Sequence, residues 1–112
     1  MPLNGPLAPS GISSDFSKEH DTYFSQVKLN PDKTIQMFYD HVNNGMKKLN
    51  SLVKADRIRL KMVAITFGTY DVMVVWQAKD ADAAKQFRDT ILAGDGHQSF
   101  TACAKIGDGH DG

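Results

Sequence analysis

The sequence predicts an α+β domain whose elements run strand, helix, strand, strand, helix, strand. Three observations carry that expectation. Residues 67–80 hold a turn, a strand and a helix start in one uninterrupted stretch, FGTYDVMVVWQAKD. Between Ile35 and Val53 apolar residues recur at three- and four-residue steps, the period of a helix with one buried face. The flanking segments alternate apolar and polar residues, the period of a strand.

Taken in order, Thr22 to Leu29 is the first strand, with Tyr23, Ser25, Val27 and Leu29 on one side and Phe24, Gln26 and Lys28 on the other. Asn30-Pro31-Asp32 ends it, Asn30 serving as cap and Pro31 occupying the first helical turn. The helix then runs to about Ala55 behind Ile35, Phe38, Tyr39, Val42, Met46 and Leu49. Arg57 to Phe67 is the second strand, Gly68 to Asp71 a short hairpin connection, and Val72 to Lys79 the third strand. Asp80 is an N-cap for a helix to Ala93 that buries Ala84, Phe87 and Ile91. Gly94 and Gly96 break it, and Gln98 to Ile106 is the last strand.

The order βαββαβ has few acceptable solutions, of which the ferredoxin-like plait is the simplest: a four-stranded antiparallel sheet with two helices on one face. Strict alternation puts Ile58, Leu60, Met62, Ala64, Val72, Val74, Trp76 and Ala78 under the helices. The other face then carries Val63, Ile65, Phe67, Met73 and Val75, too apolar to stay in water. A second copy, sheet against sheet, would cover it as a dimeric α/β barrel. The expected partners are therefore a homodimer mate or a larger protein assembly.

At 112 residues the chain has one domain's length and needs no staple. Three segments are expected: an arm over 1–20 holding three of the four prolines, a domain over 21–106 and a polar tail over 107–112. Leu3, Leu7, Ile12 and Phe16 are the arm's spaced apolar anchors. Thirteen basic and thirteen acidic residues balance, which argues against a dedicated nucleic-acid binder. No apolar run approaches a membrane span, the amino terminus has no secretory pattern, and the single cysteine, Cys103, is expected to be a reduced and buried packing residue. Cytoplasmic residence is the expectation.

The residues Gly68-Thr-Tyr70-Asp71, with Ala78, Asp80, Phe87 and Gly96, resemble the GYD domain family, named for a Gly-x-Tyr-Asp turn. Gln77 stands where the family has an acid, Lys79 where it has proline, and His97-Gln-Ser where it has Asn-Val-Arg. The resemblance spans about 40 residues and implies a fold of the dimeric α/β barrel type. The family has no settled activity, so it implies no chemistry.

Candidate site residues follow from residue type and position. Tyr70 and Asp71 lie in a hairpin turn, where an aspartate caps backbone amides; in a functional role Tyr70 would be the lip of a pocket, with Asp71 its orienter. His97 opens the last strand and is suited to proton exchange near neutrality, while Trp76 is core or the wall of an apolar pocket for a small molecule. His20, His41 and His110 have no metal-ligand spacing, and no metal or cofactor is expected. Laying the first and third strands parallel and side by side gathers Lys28, Arg59, Lys61 and Gln77 into a basic corner of the open face, a contact for an acidic partner. Two function classes follow: a non-catalytic assembly subunit using the open face and arm, or a cofactor-free oxygenase or isomerase acting on a small apolar or aromatic substrate around Tyr70 and His97.

Overall fold

A computed structural model of the chain describes residues 16–94 and 96–104. Strand β1 (Asp21–Leu29) leads into a turn in which Lys33 N–H donates to Asn30 O at 2.9 Å, and then into helix α1 (Ile35–Lys48). The helix starts later than Pro31 suggests, because Thr34 takes the cap: its hydroxyl accepts from Met37 N–H at 3.1 Å. The long helix also breaks at Leu49, where ψ is 16°, and resumes as the short α2 (Asn50–Lys54). Asp56 follows with φ at 59°, letting Arg57 N–H reach back to Leu52 O at 2.8 Å, a left-handed helix stop made by aspartate where glycine is usual.

Strands β2 (Ile58–Ile65) and β3 (Val72–Ala78) form the expected hairpin. Asp80 caps α3 (Ala81–Phe87) as expected, its carboxylate accepting from Ala83 N–H at 2.8 Å. The helix ends in a π-helical turn, Arg88–Leu92, before β4 (His97–Ala104). The sheet order is β2-β3-β1-β4 with every neighbouring pair antiparallel, which is the ferredoxin-like plait. The idea of a parallel β1–β3 pair is thereby corrected. A helical crossover makes β1 parallel to β2, and β3, returning by a hairpin into the gap between them, must oppose both.

The core lies between the sheet and the helices, where Val27, Val42, Leu60, Trp76, Phe87 and Ile91 are all buried. Trp76 is sandwiched between Tyr23 and Phe87, with ring centroids 4.3 and 4.0 Å away, and its indole N–H donates to Ser25 Oγ at 2.9 Å. That bond satisfies the one polar atom the indole brings into the core.

A β-bulge changes the composition of both faces. Leu60 pairs with Trp76 but Met62 pairs with Val75, so Lys61 is an extra residue and the alternation of β2 inverts beyond it. Val63 and Ile65, expected on the open face, instead oppose Val74 and Val72 on the helix side, and Val63 is part of the core. Met62 and Ala64 take their places opposite Val75 and Met73. Phe67 lies beyond the end of β2.

Residues 16–20 pack on the sheet, inside the boundary expected at residue 21. The buried Gln77 amide accepts from Ser17 N–H at 3.2 Å and donates to Ser17 O at 3.0 Å and Thr22 Oγ1 at 2.9 Å. His20, also buried, donates from Nε2 to Asp56 O at 2.6 Å, leaving Nδ1 to meet the Ser17 hydroxyl at 2.6 Å. Leu3, Leu7, Ile12 and the tail lie outside the described residues. No helix among the described residues is long and apolar enough to cross a membrane.

Candidate functional site

Two surfaces stand out, one on each side of the sheet. On the helix side, α1 presents Met37, Phe38 and His41, which fall on one face because their spacing approximates a helical turn. The Gly94–Gly96 break brings His97 to the start of β4, opposite Leu29 in β1. The three rings gather: His97 lies 5.2 Å from both Phe38 and His41, edge-on to each, and Phe38 lies 6.1 Å from His41. With Leu29 and Lys33 they line a half-open cleft of about 360 Å³. Both glycines allow close approach. A Cβ on Gly94 would stand 2.8 Å from His97 Cε1, and one on Gly96 would stand 2.9 Å from Lys33 Cε.

The π-helical turn holds one of the two imidazoles. His41 Nε2 donates to Ile91 O at 2.8 Å, a carbonyl at the widened turn. Burial holds the His97 pKa below the usual imidazole value, the neighbouring His41 lowers it further, and the carbonyls of Leu92 and Ile91 oppose both. The ring is therefore neutral at neutral pH. His97 Nε2 is buried with no hydrogen-bond partner among the described residues. Leaving a buried polar atom of this kind unpaired costs about 1–3 kcal/mol.

The expected ligand set does not assemble. Trp76 is wholly enclosed in the core. Tyr70 turns its ring edge-on to Phe100, 5.6 Å away, toward the open face, while His97 meets Phe38 on the helix side. Asp71 works within the backbone: its carboxylate accepts from Leu29 N–H at 2.8 Å, and its own N–H donates to Val27 O at 2.8 Å. The cleft's second histidine, His41, lacks any metal-ligand spacing, and its partner is 56 positions away; its signal was its place one turn after Phe38 on the buried face.

On the open face, Met62, Met73, Val75, Phe24 and Phe100 spread across all four strands. Phe100 is 58 % exposed, Met62 44 % and Phe16, at the edge, 42 %; Phe67 on the β2–β3 turn is 96 % exposed. A shallow groove of about 360 Å³ runs between Phe24, Met73 and Phe100. Val75 is itself buried, flanked by Phe24 and Met62.

The basic corner is also corrected. Antiparallel register places Lys28 opposite Gln98, at the far end of β1 from Thr22, which pairs with Gln77. Arg59 does neighbour Gln77, but its guanidinium donates to both carboxylate oxygens of Asp56, at 2.7 and 3.0 Å. Lys61 is buried, with its ammonium 4.8 Å above the Phe16 ring. Cys103, expected to be buried, is exposed, because β4 is an edge strand flanked only by β1.

No family model matches the chain, and no curated protein does. Among solved structures it is similar to a dimeric protein of unknown function and ferredoxin-like fold from Bacteroides fragilis NCTC 9343, at 12 % identity and a TM-score of 0.49, over 81 % of this chain and 100 % of that one. A likeness at that level carries no functional information; the plait is evident in the strand order itself.

Proposed function

We propose that the chain is an assembly module that pairs with a second copy of itself through the open face of its sheet, closing a dimeric α/β barrel. The observation that carries this reading is the apolar plane from Met62 on β2 to Phe100 on β4, with both side chains exposed over about half of their surface in the single chain. A flat face of sheet dimensions is matched best by another sheet, packed about 10 Å away. Covering the exposed parts of Phe100 and Met62 removes about 200 Å² per copy, on the order of 10 kcal/mol for the pair at about 25 cal/mol/Å². Association costs of about 4–15 kcal/mol are of the same size, so the rim residues Phe16 and Phe67 belong to the interface as well. The arm that begins before residue 16 is part of the proposal, since residues 16–20 already lie on this face against Gln77.

Kinship with GYD domains belongs to the same reading. Gly68 has φ at 127° and Asp71 ties the turn to β1, so the turn uses the residue types of the Gly-x-Tyr-Asp motif for physical reasons.

Light scattering after size exclusion tests the dimer. The parent should run at twice 12.3 kDa, and Phe100→Glu should run as a monomer with an unchanged far-ultraviolet spectrum. Val75→Asp is a poor test because Val75 is buried within the single chain. A parent that stays monomeric at about 100 μM, well above the dissociation constants of stable dimers, would sink the proposal.

A further inference from the structure

We infer that strand β4 is a second self-association site: its outer edge pairs antiparallel with the β4 edge of another copy, in a register centred on Phe100, so that two four-stranded sheets join side by side. The pairing uses the rim of the sheet and leaves the open face clear, so it stands with or without the face-to-face pairing proposed above.

The register fixes which backbone groups point outward. Asn30 N–H donates to Gly96 O at 2.9 Å, continuing the β1–β4 ladder by one pair. Pairs that exchange hydrogen bonds alternate along an antiparallel ladder, so Gln98, Phe100 and Ala102 turn their N–H and C=O groups to β1. His97, Ser99, Thr101 and Cys103 turn theirs to the outer side, where they meet no strand among the described residues. This edge lacks the devices that discourage pairing. Its eight residues keep an unbroken register, include no proline, lysine, arginine, aspartate or glutamate, and leave Gln98, Phe100, Thr101, Ala102 and Cys103 exposed. The opposite edge is guarded, because β2 carries the bulge together with Arg59 and Lys61. The matching occupant is therefore another β4 and not a β2, and the pairing closes after two copies instead of growing into a fibre. Segments of the chain outside the described residues fit the edge less well: Pro2, Pro6 and Pro9 interrupt 1–15, and Gly107, Gly109 and Gly112 weaken 107–112 as a strand. Setting Phe100 opposite its own counterpart matches all four outward residues, His97 with Cys103 and Ser99 with Thr101, for about eight hydrogen bonds. Shifting the strands by two residues in either direction loses one of those matches. The centred register also brings the two Phe100 rings together across the axis as a close cross-strand pair.

The test is amide exchange of the full chain, resolved by residue and compared at about 10 μM and about 2 mM, a range that brackets weak self-association. The Ser99, Thr101 and Cys103 N–H groups should slow at least about threefold at the higher concentration, and by more than those of Phe100 and Ala102, which are bonded to β1 throughout. Face-to-face pairing covers both sets alike, so the alternation belongs to the edge. Cys103 is the chain's one cysteine and is exposed, so a spin label there reads the register. Labelled positions should lie about 20 Å apart across the pair, six residues at about 3.4 Å each. Ser99→Pro removes one outward N–H without touching the β1 ladder and should abolish the slowing. The measurements on the parent chain stand even if that variant does not fold. Outward amides that exchange fast at both concentrations, slowing without alternation, labels that never approach about 20 Å, or slow outward amides in a chain that light scattering shows to be monomeric would each overturn the inference.

Discussion

Replacing Gln77 with leucine should uncouple residues 16–20 from the sheet and weaken the whole fold. The side chain is fully buried and makes three hydrogen bonds, two to the Ser17 backbone and one to Thr22 Oγ1. At about 1 kcal/mol net for each, their loss costs about 3 kcal/mol, and the apolar leucine returns part of it. Thr22 is also buried, so its hydroxyl would be stranded when the amide goes. A net loss of about 2 kcal/mol corresponds to a thermal midpoint lower by roughly 8–16 °C in a domain of this size. Amide exchange gives the local view: the Ser17 N–H, whose partner among the described residues is Gln77 Oε1, should exchange at nearly the rate of a free chain. A Gln77→Leu protein that melts within about 2 °C of the parent and still protects Ser17 would show that the segment is held by something other than this amide.

Gly45→Ala should destabilise despite the roughly 1 kcal/mol of helix propensity it gains, because the new Cβ would stand 2.5 Å from Ile91 Cγ1. Overpacking of that kind costs about 1–3 kcal/mol, and a urea midpoint above the parent's would show that α1 can move off the π-helical turn. Protonating His97 should also cost stability. Its folded pKa is lowered, so the unfolded chain takes up the proton first, and stability is complete above the ordinary imidazole value of about 6.5 and falls as pH drops from there to the folded value. Urea unfolding between about pH 7.5 and 5 should show this slope in the parent and a shallower one in His97→Phe; parallel curves would refute it.

Turn chemistry and capping were legible because each is local. Gly68, with its positive φ, and Asp80, which accepts from Ala83 N–H, act within a few residues of themselves, whereas the Asp71 carboxylate reaches across to Leu29 N–H on β1. The helix start was less so, since Asn30 and Thr34 are both good caps and Pro31 favours the earlier one; Asn30 N–H instead donates to Gly96 O at 2.9 Å. The bulge at Lys61 defeats strict alternation, though Met62-Val63, two apolar residues in succession, marks the place where the period slips. The histidine pair and the Gln77 clamp join residues 56 and 60 positions apart, and no spacing rule reaches that far. Topology alone brings them together.

The single tryptophan has a bearing on how this protein can be observed. Held between Tyr23 and Phe87, with its N–H on Ser25, Trp76 reports from the point where β1, β3 and α3 meet. Its emission should be that of a dry indole and should change only when the layers separate. A fluorescence melt would therefore record the core and be blind to residues 16–20, which lie against the far surface of the sheet. A melt followed by emission therefore has to be paired with Ser17 exchange, because coincidence of two probes is what establishes that residues 16–20 and the core unfold together.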